Sequence, residues 1–335
     1  METGADAGAR GLSGPTAAPM TTILYQHSSS LQHEMPPGHP ERPDRIRAIH
    51  HALSTEDFAD LDRQAAPEAS LEALTLAHPA EWVDAIVASA PAAGMMQVDA
   101  DTIMSPGTLE AARRGVGGAM AAVDAVFAKE ADNAFVATRP PGHHAEKTQA
   151  MGFCFFNTAA IAARHAQRRH GAERVAIMDF DVHHGNGTQD IFWDDASVLY
   201  ASTHEMPLYP GTGHLSERGV HDTIVNAPLP ADSDGAAFRA AMEARILPRI
   251  DAFKPDLIVI SAGFDAHDRD PLSSLRLLEP DFAWATARLM DLADRHAAGR
   301  LISVLEGGYD LRGLSSSVAA HVATLMGRNA LAATA

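Results

Sequence analysis

Asp181 and His183 stand two residues apart just after an apolar run, so an extended strand end would project both side chains the same way. A third acid, Asp265, follows another apolar run, Leu257 to Ala262. Two carboxylates and one imidazole make a three-ligand set that leaves positions open for water and substrate, as a catalytic divalent ion requires. An isolated Asp-x-His pair is more commonly a solvated strand end; the neighbouring clusters sharpen it. His143 and His144 follow a Pro-Pro-Gly turn, and adjacent imidazoles can act as base and acid beside a metal once their partners set tautomer and basicity. Asp179 and Asn186 are the candidate partners. A carboxylate raises the basicity of one ring, whereas an amide leaves the other nearer its ordinary value, neutral and ready to take a proton at pH 7. Tyr309 follows Gly307 and Gly308, which let the backbone turn tightly and carry a phenol into a crevice. There it can donate a hydrogen bond to an oxyanion as it forms.

Such residues need a scaffold that brings separate segments to one edge. Apolar runs of strand length occur at Ile23 to Tyr25, Ala134 to Thr138, Arg174 to Phe180, Ser197 to Ala201, Leu257 to Ala262 and Leu301 to Leu305. Helix-period stretches alternate with them: Leu109 to Lys129, Asn157 to His170, Gly235 to Phe253, Pro280 to His296 and Leu314 to Met326. Several of the runs are apolar on both faces, which predicts an α/β fold, a doubly wound parallel sheet with helices on both sides. Ligands of open parallel sheets sit outside the carboxyl ends of the strands, and the polar clusters fall there. The stretch Thr203 to Val220, with its prolines and glycines, reads as a functional loop. Residues 1–19 are rich in Gly, Ala and Pro and read as a disordered N-terminal extension, with residues 20–335 as one domain.

With 335 residues, 46% of them hydrophobic and 21% charged, the chain has the material for a sizeable core. The single cysteine, Cys154, cannot form an intramolecular disulfide, and no run approaches the roughly 18 apolar residues of a membrane span. A cytoplasmic location is expected. Against 43 acidic residues there are 26 Lys and Arg, a net −17 that sets an unfavourable field for nucleic acid or an anionic membrane. The expected partner is a small molecule rather than nucleic acid or membrane; a homo-oligomer is compatible with the sequence.

Together these residues resemble the zinc-dependent histone deacetylase family, which includes bacterial acetylpolyamine amidohydrolases and histone deacetylase-like amidohydrolases. The resemblance runs from residue 20 to 328 through GHPERP at 38–43, RPPGHHA at 139–145, GFCFFN at 152–157, DFDVHHGNGTQ at 179–189, PGTG at 210–213, SAGFDAH at 261–267 and EGGYD at 306–310. It implies an arginase/deacetylase-like fold whose long loops at the strand ends form the active site. It also implies one catalytic Zn²⁺ on Asp181, His183 and Asp265, with His144 as general base and then acid, His143 with Asp179 as its electrostatic partner, and Tyr309 polarising the scissile carbonyl. Gly185 stands where a further acid would help hold a second metal. Asn186 in place of an Asp points to the class II-like branch. Phe153, Gly152 and Tyr209 look like the walls of an acyl-lysine tunnel, with Gly307 and Gly308 at its base. Leu272 falls where polyamine-preferring relatives carry an acidic gatekeeper, so the resemblance argues against a dedicated polyamine deacetylase. A structural K⁺ is implied at Asp179, Asp181, His183, Ser202 and Thr203, with a second monovalent-ion site around Phe192 and Val198.

The expected reaction is therefore hydrolysis of an N-acyl amide. Acetyl-lysine, acetylated polyamines and small xenobiotic amides remain open as substrates, because relatives sharing a catalytic set differ through their loops. A non-catalytic acyl-lysine binder would have lost a ligand or Tyr309, and neither is lost. Phosphate-ester hydrolysis would need positive groups at the edge, which offers few beyond Arg139 and Arg269.

Overall fold

The run Leu257–Ala262 is buried along its whole length, as a strand must be when helices cover both faces of its sheet. In this computed structural model, which describes residues 20–328, it is one of eight strands in a parallel sheet. The extension expected over residues 1–19 lies outside the described residues. In chain order the strands are β1 (Thr22–Gln26), β2 (Asp62–Ala65), β3 (Met96–Gln97), β4 (Ile103–Met104), β5 (Asn133–Val136), β6 (Val175–Asp179), β7 (Val198–Glu205), β8 (Ile224–Leu229), β9 (Leu257–Ala262) and β10 (Leu301–Leu305). The large sheet has the order β2-β1-β5-β10-β9-β6-β7-β8, while β3 and β4 form a small antiparallel pair. Strand order reverses around β5, β10, β9 and β6, and the polar clusters leave the sheet there.

The helices are α1 (Asp44–Ala52), α2 (Leu71–Leu74), α3 (Ala80–Ser89), α4 (Thr108–Ala128), α5 (Thr158–His170), α6 (Asn186–Phe192), α7 (Gly235–Ala241), α8 (Leu247–Phe253), α9 (Glu279–His296) and α10 (Leu311–Leu325). Alternate residues of each central strand serve opposite cores. Val175, Ile177 and Val259 join the side chains of α4 and α5. Ala176, Met178, Ile258 and Ile260 face the layer of α1, α9 and α10. A single-residue slip would exchange the two cores, so the alternation holds the register of β6 and β9, where Asp179 pairs with Ser261.

The expected strands and helices form, and the structure adds α1, α2, α3, α6 and the β3–β4 pair, which were not expected. The stretch Gly235 to Phe253 is interrupted by a π-helical turn at Met242–Ile246. Pro248 follows it, and its ring can neither donate to the Ala244 carbonyl nor sit against it in a regular helix. β7 continues to Glu205, so the loop expected from Thr203 starts later. The edge strands β2 and β8 were not anticipated: β2 reads Asp-Arg-Gln-Ala and is exposed throughout, and β8 carries Pro228, which a sheet tolerates at its edge.

Candidate metal centre and active site

Asp181 leaves the end of β6 and Asp265 the end of β9, neighbours in the sheet, so both carboxylates arrive at one place. His183 lies between them, its Nδ1 3.1 Å from Asp181 Oδ1 and 3.1 Å from Asp265 Oδ2. The donor atoms of the three side chains lie within 4.8 Å of one another, and all three residues are buried. Backbone groups fix the carboxylates: Gly307 N–H donates to Asp181 Oδ2 at 2.8 Å and Val182 N–H to Asp265 Oδ1 at 2.8 Å. A Cβ on Gly307 would collide with both carboxylates, which is why the segment after β10 carries glycine there. Gly308 takes φ +117°, a conformation that side chains resist, and turns Tyr309 into the cavity.

Burial opposes charge on this set, and the groups divide the cost unevenly. The His183 imidazole loses solvation, but its hydrogen bonds to Asp181 and Asp265 raise its pKa to about 10. Burial and the Asp181 charge push Asp265 up to about 7. Asp181 falls below the usual carboxylate range, because the charges of His143 and His183 outweigh its desolvation. Two buried carboxylates and one imidazole of this kind fit a divalent cation, which neutralises both acids at once.

The adjacent histidines separate as their partners dictate. His143 Nδ1 is 3.0 Å from Asp179 Oδ2, and its Nε2 is 3.8 Å from Asp181 Oδ2. Desolvation opposes its charge, but Asp181 and Asp179 hold its pKa well above the ordinary value. His144 Nδ1 meets Asn186 Oδ1 at 2.8 Å, while the Asn186 amide donates to Glu146 Oε1 at 2.7 Å. With Glu146 taking the amide hydrogens, Asn186 accepts from His144 Nδ1–H, which leaves Nε2 of that ring as a free base. The expectation of a nearly unperturbed His144 is corrected: burial, then the charges of His143 and His183, push it well below the histidine range. An amide partner alone would not do this; the enclosing protein does.

Above Asp181, His183 and Asp265 lies a cavity of about 210 Å³. His144, His183 and Tyr309 form its floor, and Gly152, Phe153, Tyr209 and Leu272 its walls; Gly307 and Gly308, expected at the base of the tunnel, do not line it but lie in the segment that carries Tyr309. Phe153 crosses the Tyr309 ring edge-on at 5.9 Å, and Tyr209 crosses His144 edge-on at 5.2 Å. A Cβ on Gly152 would strike the His144 ring. Phe153 itself sits at φ +69°, a strained position for a bulky residue, held while its N–H donates to Thr102 Oγ1 at 3.1 Å. Burial and the Asp265 charge push the Tyr309 phenol well above its ordinary range, so it stays a proton donor.

Sequence reasoning missed several residues that hold these groups. Asp101 lines the same cavity and accepts from Gly152 N–H at 3.0 Å. Asp270 Oδ2 accepts from Tyr309 N–H at 2.7 Å, and its Oδ1 from Leu272 N–H at 3.0 Å, tying the floor to one wall. Glu306 Oε2 accepts from Gly142 and His143 N–H at 2.6 and 3.1 Å, beneath the histidine pair. Arg45 donates to the carbonyls of Gly308 and Glu306 and lies 5.0 Å from the centre of the Tyr309 ring. The signal for Glu306 was its place in the strand-end motif EGGYD at 306–310, whereas Asp270 lies three residues beyond SAGFDAH. Of the residues expected around monovalent ions, Asp179 and Ser202 are register partners on β6 and β7 beside Asp181, His183 and Thr203, while Phe192 ends α6 and Val198 begins β7.

Comparison with known proteins bears on the whole assembly. Residues 39–325 match the histone deacetylase domain family. A histone deacetylase-like amidohydrolase of Pseudomonas aeruginosa is 43% identical over 277 residues, covering 81% of this chain and 73% of that protein. A probable deacetylase of Archaeoglobus fulgidus is 40% identical over 300 residues, 88% of this chain and 83% of its own length. Among solved structures, the HDA15 HD domain superposes with a TM-score of 0.87 at 36% identity, covering 93% of this chain and 89% of that one. Agreement in both sequence and backbone, over most of the chain, places this protein in the histone deacetylase family, as a deacetylase or amidohydrolase with the arginase/deacetylase-like α/β fold.

Proposed function

We propose that this protein hydrolyses an acyl-lysine-like N-acyl amide at a single zinc ion held by Asp181, His183 and Asp265. The reading is carried by the convergence of His144, His183 and Tyr309 on the floor of one narrow cavity. Zinc would supply Lewis acidity, activating water and polarising the acyl oxygen. The side chains do the rest. His144, its Nδ1–H held by Asn186, uses Nε2 to take a proton from the attacking water and returns it to the departing amine. His143, paired with Asp179, keeps its positive charge and favours the build-up of negative charge beside it. Tyr309 donates its O–H to the acyl oxygen as charge develops there. Phe153 and Tyr209 pack against the methylene chain of the substrate. Leu272 at the wall offers no carboxylate to a distant ammonium, which favours acyl-lysine-like substrates over polyamines. A potassium ion beside Asp179 and Ser202, reached also by Asp181, His183 and Thr203, would brace the loop that carries the ligands.

The test is turnover of the zinc-loaded protein on acetyl- and trifluoroacetyl-lysine peptides, acetylated polyamines and small anilides, each repeated with a chelator. Chelator-sensitive cleavage of the lysine peptides is expected. Cleavage of polyamines alone would overturn the reading of Leu272, and cleavage of small non-lysine amides alone would assign the chemistry to a different substrate. No cleavage with metal bound would overturn the reaction.

A further inference from the structure

We propose that Asp124, His165 and His170 form a second binding site for a divalent late transition-metal ion, on the helical face away from the cavity. Asp124 lies on α4, and His165 and His170 lie on α5, which packs against it. Both imidazoles turn Nε2 to the same oxygen: His165 Nε2 is 2.7 Å and His170 Nε2 2.6 Å from Asp124 Oδ1. Outside the set formed by Asp181, His183 and Asp265, these three are the other group among the described residues whose ligand atoms meet within 4.8 Å.

Two imidazoles and one carboxylate are the donors that Zn²⁺ and its neighbours in the series select. Metal–ligand bonds of about 2.0–2.2 Å place tetrahedral ligand atoms roughly 3.3 Å apart, so the two imidazole–carboxylate distances need to open by less than about 1 Å. Asp124 is exposed and both histidines are partly exposed, so the ion has a path in and the remaining coordination positions face water. Binding exchanges the two Nε2–H hydrogen bonds for coordination, with the proton of each neutral ring carried on Nδ1 instead.

The rings are already oriented. Residues five apart do not share a face of a regular helix, but His170 is the last residue of α5, before Gly171 at φ +70°. Its ring stacks on Phe127 at 4.6 Å and 13°. The Arg300 guanidinium also sits over Phe127, 4.7 Å from its centroid. The cluster lies at the carboxyl end of α5, whereas the segment lining the cavity, Gly152 and Phe153, precedes its amino end. A 13-residue helix spans about 20 Å, so an ion on this cluster leaves the tunnel undisturbed.

The experiment counts zinc in the full-length protein by native mass spectrometry and by titration against a chromophoric chelator, with Zn²⁺ alone as probe. Wild type, His165→Ala, His170→Ala and Asp124→Asn are compared, each checked for folding by circular dichroism and for unchanged turnover. Each variant is expected to bind one ion fewer than the wild type. Equal zinc in the wild type and the variants would overturn the proposal and leave a hydrogen-bonded His–Asp–His cluster.

Discussion

The floor and the mouth of the cavity are built by different means. At the floor His183, and beneath it Asp181 and Asp265, are buried at strand ends, and backbone N–H groups of Gly307 and Val182 hold the acids in place. At the mouth, Phe153, Leu272, Asp101 and the adjacent pair Leu208 and Tyr209 come from four different loops, and Tyr209 is 38% exposed. A sheet fixes the first set to within its own rigidity, while loops can change length and composition without moving the sheet. On the proposed function, reaction chemistry and substrate choice are separable, one residing at the ends of β6, β9 and β10 and the other in the loops around them.

Substitutions at the two levels should therefore fail differently. Asp181→Ala removes a proposed zinc ligand and the acceptor of Gly307 N–H; near-complete loss of both bound zinc and turnover is expected, read by metal analysis and kcat. Retained zinc would break the ligand assignment. Tyr309→Phe keeps the ring against Phe153 but removes the hydroxyl. Its kcat is expected to fall about 10²–10³-fold with zinc content unchanged. At the mouth, Tyr209→Ala should act through binding: KM for an acetyl-lysine peptide rises about tenfold, with kcat little changed. Leu272→Glu adds a half-exposed charge and is expected to raise kcat/KM for acetylated polyamines relative to acetyl-lysine about fivefold. An equal drop in kcat for either mouth variant would erase the distinction between the two levels.

The smallest effect concerns the packing beneath both. Burial lowers the pKa of His78 to about 4 and of His321 to about 3. His78 Nε2 accepts from Asn157 N–H at 2.9 Å at the start of α5, and His321 bridges Thr286 and Ser303 in the core. Unfolded, both rings take protons near pH 6.5, so the unfolded state binds more protons than the folded one between that pH and about 4. Stability is then full above about pH 6.5 and is lost progressively as pH falls below it. Thermal melts of the metal-loaded protein should show Tm falling by several degrees over that window, and His321→Gln should flatten the slope.

Much of the floor was legible because its parts are local. Asp181-x-His183 at the end of a buried strand, His143-His144 after Pro-Pro-Gly, and Gly307-Gly308 before Tyr309 each carry their chemistry within a few residues. The mouth was legible only where single aromatic or apolar residues stood in recognisable motifs. Asp101 was not, since it reaches Gly152 across 51 residues of chain. Asp270 likewise joins Tyr309 and Leu272 by accepting from backbone groups, a role that no residue type announces. The cluster of Asp124, His165 and His170 was hidden for a related reason: its spacing on α5 breaks the helical period, and its carboxylate comes from α4.

By itself, the sequence determined which strands are buried on both faces, which segments end in acids and histidines, and that the partners of His143 and His144 differ in charge. Hydrophobic periodicity and residue chemistry are local properties that survive without a fold. Only the tertiary structure decided how far those properties are bent. It set β6 beside β9 so that Asp181 and Asp265 meet, enclosed His144 so that burial and two neighbouring charges carry it well below its ordinary pKa, and closed the walls of Gly152, Phe153, Tyr209 and Leu272 over one floor. Desolvation and the approach of distant charges depend on every group within several ångströms, and those neighbours are supplied by the folded chain rather than by position along it.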